Sequence, residues 1–176
     1  HRTTRIDIWA APETRPADFL AVSPLAEVPV LVIDGTPVFQ SGAILMELAQ
    51  RFAVLGGDTP EGLRRGREIL MWEGNRIGLC LPQLKEARRI GSGGLPPDVI
   101  AWLTARFEVD RNNFDRLLGA AEFLHGAAPG IGDCAVWGYV QWLEEAGVTP
   151  SDRMRRWSEA MRALPGMKAP ETFFPA

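Results

Sequence analysis

Proline at position 29 constrains this chain more than any other residue. It stands inside Val28-Pro29-Val30-Leu31-Val32-Ile33, a run apolar on both faces, as in a strand covered from both sides. Proline has no N–H to give to a ladder and does not sit within a central strand. One resolution places Pro29 at the strand's first position with a cis Val28–Pro29 bond. The N–H and C=O of Val28 are then free to pair with an extended ligand. The other makes Pro29 the start of a plain edge strand, and on the residues alone both stand. Asp34-Gly35 follows as a tight-turn dipeptide, and Pro37-Val38-Phe39 can return as the second arm of a hairpin.

Gln40-Ser41 ends that arm and opens Gly42-Ala43-Ile44-Leu45-Met46-Glu47-Leu48-Ala49, a good helix with Ser41 as its N-cap. The first-turn N–H groups of such a helix lack internal partners and lie at the positive end of its dipole. A carboxylate is well received there, with the Ser41 hydroxyl and the Gln40 amide as further donors. The plainer alternative is a cap that binds nothing. Upstream, residues 4–9 alternate polar and apolar in the period of a half-buried strand. Residues 16–20 suggest a short helix with Pro16 in its first turn.

Beyond residue 52 the pattern changes. A Gly/Pro linker spans 53–60, and residues 60–165 read almost purely helical. One helix is expected over about 61–89, ending at Gly91-Ser92-Gly93-Gly94. The next opens at Pro96-Pro97 and places Val99, Leu103, Phe107, Phe114 and Leu117 on one face. Residues 131–143 are apolar nearly all round, as a helix buried on every side must be. Met154, Trp157, Met161 and Leu164 have the spacing of a one-sided surface helix. The fold class is α+β: an α/β domain over 1–52 and an all-α helical bundle over 61–176.

Composition excludes several functions. The 176 residues carry a net charge of −3, so no overall positive field invites nucleic acid. No apolar stretch approaches the roughly 18 residues of a membrane span, and residues 1–4 lack the apolar core of a signal peptide. Cys80 and Cys134 are far apart and read as reduced, buried thiols of a cytoplasmic protein. With only two histidines, His1 and His125, and no Cys-x-x-Cys, no metal site is expected. His125, beside a Gly-rich turn, is expected to be solvated, and Tyr139 to pack in the buried helix with a satisfied hydroxyl.

Ser23-Pro24-Leu25-Ala26-Glu27-Val28-Pro29-Val30-Leu31, then Asp34-Gly35, then Gln40-Ser41-Gly42-Ala43-Ile44-Leu45, resembles the second half of the thioredoxin-like N-terminal domain of the glutathione S-transferases. Phe123-Leu124-His125-Gly126 through Pro129-Gly130-Ile131-Gly132-Asp133-Cys134-Ala135 is similar to that family's C-domain motif, which opens a buried helix. The resemblance covers nearly the whole chain. It implies a thioredoxin-like domain followed by the helical bundle, and a transferase that joins the glutathione thiol to a small, mostly apolar electrophile. It further implies a homodimer, with glutathione as co-substrate.

By that resemblance Val28, beside cis-Pro29, pairs its backbone with the cysteinyl part of glutathione, while Gln40 and Ser41 hold the γ-glutamyl carboxylate. Trp72, Asn75, Arg76 and Leu79 fall where family members build the electrophile pocket. Some positions depart from the pattern. Glu27 stands where Lys or Gln often faces the glycine carboxylate, and Gly130 replaces a Ser or Thr N-cap. Asp133 is kept and can accept first-turn N–H groups. The family's first strand and helix carry the Tyr, Ser or Cys that activates the thiol. The chain starts at what looks like the second strand, so the activating residue is expected to be absent from this sequence. A binding or scaffolding protein that kept the fold without the chemistry is the alternative.

Overall fold

The computed structural model describes residues 2–91 and 94–168, so His1, Ser92, Gly93 and the 169–176 end of the expected helical domain lie outside the described residues. The elements follow in the order α1 Ala17–Val22, β1 Val30–Ile33, β2 Thr36–Phe39, α2 Ser41–Phe52, α3 Pro60–Asn75, α4 Ile77–Ile90, α5 Pro97–Leu118, α6 Ile131–Val140, α7 Leu143–Ala146 and α8 Asp152–Ala163. A small α/β portion therefore precedes an all-helical one.

The expected hairpin forms. β1 and β2 pair antiparallel, with Val30 opposite Phe39 and Ile33 opposite Thr36. Asp34 (φ 48°) and Gly35 (φ 78°) both take positive φ, the geometry of the primed turns that match strand twist. Arg51, in the last turn of α2, ion-pairs with Asp34 and so ties the helix to the turn. The expectation of a strand covered on both faces is corrected. α2 packs on one face, while Val32 on the other stays 50% exposed.

Residues 4–9 are not a strand. An alternating segment becomes one only by pairing, and among the described residues β1 and β2 form the sheet without it. The segment is held by a side chain instead. The Arg15 guanidinium donates to Ile8 C=O (2.9 Å) and Ala10 C=O (3.2 Å), and Arg89 lies over the Trp9 ring at 5.2 Å. The short helix is present, with Pro16 as its N-cap rather than inside its first turn.

The single helix expected over 61–89 is two. Arg76 leaves helical geometry (φ −124°, ψ −95°), and its N–H closes back on Glu73 C=O at 3.0 Å. A close local contact accompanies the break. The Glu73 side chain is buried, and a Cβ on Gly78 would lie 2.5 Å from its Oε1. Gly78 thus leaves a notch for the carboxyl, and burial pushes Glu73 up to about 7. Further along α4, Pro82 removes one ladder N–H.

The helical core forms as the periodicity implies. Leu103, Phe107 and Phe114 of α5, like Met154, Trp157 and Met161 of α8, are 0–1% exposed in the helical core. α6 runs between α3, α4 and α8, ending at Val140 rather than at residue 143. Its N-terminus rests on Asp133, itself 0% exposed. Oδ1 accepts from Leu124 N–H (2.7 Å) and Trp157 Nε1–H (2.8 Å), and Oδ2 accepts from Gly130 N–H (2.9 Å). Asp133→Ala leaves these three buried donors without an acceptor. The expected cost is about 3–5 kcal/mol in urea unfolding, and a loss under about 1 kcal/mol contradicts the role.

Candidate functional site

The open end of the hairpin collects Val28, Pro29, Gln40 and Ser41. Continuing the Val30–Phe39 register by one step sets Pro29 opposite Gln40, with Val28 and Ser41 just beyond. The Val28–Pro29 bond is cis. Among the described residues the Val28 backbone makes no hydrogen bond, and its side chain is 45% exposed.

The lead-in to Val28 is braced from beneath. Buried Ser23 donates its hydroxyl to Glu27 C=O at 2.9 Å, and Ala26 N–H donates to Ser23 C=O at 3.1 Å. Arg15 adds a third tie, donating to Ala26 C=O. These bonds fix the turn that presents Val28, and sequence reasoning missed Arg15. Its partners Ile8, Ala10 and Ala26 follow no periodic spacing that could have marked it.

Across the hairpin, Gln40 rather than Ser41 is the N-cap of α2, and neither side chain caps the helix. Ser41 is instead the first helical residue. Ile44 N–H bonds Gln40 C=O at 3.0 Å, so the first turn is closed while the N–H groups of Ser41, Gly42 and Ala43 lack intrahelical partners. No acidic residue occupies that turn, leaving the positive end of the dipole uncompensated. Gln40 also sits at φ 71°, ψ 124°. Such backbone costs a non-glycine residue about 1–3 kcal/mol and gathers where a ligand is held. The arrangement offers a backbone edge for an extended peptide and N–H donors for a carboxylate, both open to solvent.

The second set is more dispersed. Trp72 and Asn75 close α3, Arg76 is the junction, and Leu79 lies in α4. Trp72 packs against the helical core. Asn75 donates to Met71 C=O at 3.0 Å, and the Arg76 guanidinium is 3.8 Å from the Asp110 carboxylate. Leu79 alone of the four offers open apolar surface, at 38% exposure. Asp110 is fully buried, and burial raises its pKa despite Arg76 and Arg106. An open cavity of about 600 Å³ lies elsewhere, beside the linker, with Arg65, Leu117 and His125 in its wall.

The thiols are poor nucleophiles. Cys80 is fully buried, and burial, then Asp110, pushes it up. Cys134 is pushed up to about 11 by burial, with Asp133 adding to it. Tyr139 is half-buried and edge-on to Trp142 at 5.6 Å, but its hydroxyl makes no hydrogen bond among the described residues. Burial and then Glu73 raise it. His125 is half-buried rather than solvated, because its ring fits against Gly130 and accepts from Gly132 N–H. The described residues hold no cluster of three or more metal-ligating side chains, and none of their helices is long and apolar enough to cross a membrane.

Residues 1–51 match the family model of the glutathione S-transferase N-terminal domain. No curated protein matches the sequence significantly. Solved structures of the same fold include a glutathione S-transferase from Xanthobacter autotrophicus Py2, 25% identical, covering 90% of this chain and 78% of its own, with a TM-score of 0.75. One from Pseudomonas fluorescens Pf-5 is 24% identical over 91% of this chain and 81% of its own, with a TM-score of 0.74. A theta-class enzyme from Xanthomonas axonopodis pv. citri, with glutathione bound, is 18% identical over 90% and 78%, with a TM-score of 0.77. Residues 1–51 thus match the N-terminal domain of that family, and the chain as a whole shares the fold of these solved structures.

Gln40→Gly tests whether the positive φ is a strained conformation. Relief of backbone strain should raise unfolding stability by up to about 1 kcal/mol in denaturant titration. A loss of that size would instead make the Gln40 side chain a structural support.

Proposed function

We propose that this protein is a glutathione transferase whose tripeptide lies across the open end of the hairpin. The observation that carries the reading is the convergence there of an unpaired Val28 backbone and the uncapped first turn of α2. In this reading Val28, beside Pro29, pairs with the cysteinyl backbone. Ser41 and Gln40, with the α2 N–H groups, hold the γ-glutamyl carboxylate. The bound glutathione of the Xanthomonas structure supports the choice of ligand.

The reaction joins the glutathione sulfur to a small, mostly apolar electrophile. The thiol gives its proton to solvent, the thiolate forms the new C–S bond, and the electrophile loses a leaving group or opens a strained or conjugated bond. The protein contributes by favouring the anion and holding two reactants together. Leu79, Trp72, Asn75 and Arg76 are the residues proposed to face the electrophile. The reading includes a domain boundary at the 53–60 linker, a homodimer and a cytoplasmic location.

A glutathione-binding protein without turnover is the second reading. It is favoured by exposed Glu27 next to Val28, which repels the glycine carboxylate. Calorimetry separates the outcomes. Ser41→Ala removes a hydroxyl bond to a carboxylate and should weaken glutathione roughly 10–100-fold. Unchanged affinity removes Ser41 from the site, and wild-type protein that takes up no glutathione overturns the whole reading. Thiolate ultraviolet absorbance in the complex marks the enzyme, and its absence marks the binding protein.

A further inference from the structure

Gly130 gives α6 an N-cap with no side chain, yet the first turn is not left bare. Its own N–H goes to Asp133 Oδ2, and Ile131 N–H reaches across to Leu55 C=O of the linker at 3.1 Å. The N–H of Gly132 goes to His125 Nε2 at 3.2 Å. The imidazole occupies the place of the missing cap side chain. A Cβ on Gly130 would lie 2.2 Å from the ring's Cγ and Nδ1, so a Ser or Thr there would exclude it. Two further glycines flank the ring, with a Cβ on Gly56 of the linker 3.1 Å from Nδ1 and one on Gly66 of α3 3.4 Å from Cε1. Linker, α3 and α6 thus meet on one imidazole.

We propose that His125 is a proton-sensitive latch, capping α6 and locking the linker against it while neutral, and releasing both when it takes up a proton. An accepting Nε2 puts the imidazole proton on Nδ1. A second proton can only go to Nε2, which turns the acceptor into a donor facing the Gly132 N–H. It also places a cation at the positive end of the α6 dipole. The charged groups facing the ring are Asp133 of α6 and Arg65 of α3. Asp133 draws the proton, but its carboxylate is already taken up by Leu124, Gly130 and Trp157. Arg65 repels it, and burial, the largest influence, also holds the pKa below the ordinary histidine range. Asp58, Glu61 and Arg64 line the open cavity of about 600 Å³ beside His125, which gives the proton a route from solvent.

Because the folded pKa is depressed, the latch contributes its full stability above about 6.5 and loses it as pH falls through the folded value. Glu73 acts in the opposite sense. With its folded value raised to about 7, its contribution is complete below 4.5 and is lost as pH rises through about 7. A raw stability curve mixes the two, and comparison with a variant at position 125 separates them. His125→Gln supplies a carbonyl oxygen that accepts at every pH.

The test uses the full chain, whose two histidines make the imidazole nitrogen spectrum easy to assign. The latch requires His125 as the Nδ1–H tautomer, titrating below the ordinary range. Amide exchange at Gly132 and Ile131, corrected for its intrinsic pH dependence, must rise in step with that titration. Between pH 7 and 5 the unfolding midpoint of the wild type should fall relative to that of His125→Gln. An Nε2–H tautomer, an ordinary or raised pKa, or exchange unchanged through the titration would overturn the proposal. So would parallel stability curves for the two proteins. Should His125→Gln fail to fold, the tautomer and exchange measurements on the wild type decide alone.

Discussion

A single buried carboxylate organises the helical half of this protein. Asp133 binds donors from the 123–126 turn, from the start of α6 and from α8, and no stretch of backbone could join those parts as directly. The turn is itself closed by reciprocal bonds between Phe123 and Gly126 (3.0 and 2.9 Å). Arg65 of α3 clasps it by donating to Leu124 C=O (3.0 Å) and Leu117 C=O (2.8 Å). The indole that reaches Asp133 from α8 also packs edge-on to Phe114 at 5.0 Å and Trp137 at 6.1 Å. Charge-assisted bonds in a dry core are stronger than neutral ones, and a lost acceptor there costs the full desolvation of its donors. Fixing α6 in this way fixes the platform on which α3, α4 and the linker rest.

The thioredoxin-like half is built on a different principle. Its hairpin is only two strands among the described residues, too small to hold a core of its own. It gains rigidity from α2 on one face, from Arg51 on Asp34, and from Arg15 beneath the Ser23-to-Glu27 turn. The groups at its open end are left unpaired, and Gln40 is held at positive φ. Polar groups without internal partners, on a braced frame, can receive a ligand without first breaking bonds of their own.

Much of this was legible in the chain because it rests on local rules. Asp34-Gly35 named its turn, and the stripes Leu103–Phe107–Phe114 and Met154–Trp157–Met161 named their buried faces. What was not legible depends on distant partners. Residues 4–9 alternate like a strand, but pairing is a property of the neighbour and not of the segment. The break at Arg76 is an exception of another kind: it is local, and Glu73 and Gly78 meet across it in a contact that no helical periodicity encodes. His125 beside a Gly-rich turn reads as solvated until Gly130 is seen to make room for it. A glycine at an expected N-cap, with a histidine five positions earlier, was the available signal. The pocket residues stayed hardest to place, since Trp72, Asn75, Arg76 and Leu79 were set on one helix that is in fact two.

The unpaired groups at the hairpin's end are proposed to form a glutathione site. The most direct measurement is a backbone amide spectrum of the full chain titrated with glutathione. A site there gives saturable shifts concentrated at Val28, Gln40, Ser41 and Gly42, with the linker cavity near Arg65 and His125 unmoved. Shifts centred on that cavity, or none at Ser41 and Gly42 at saturation, would contradict it.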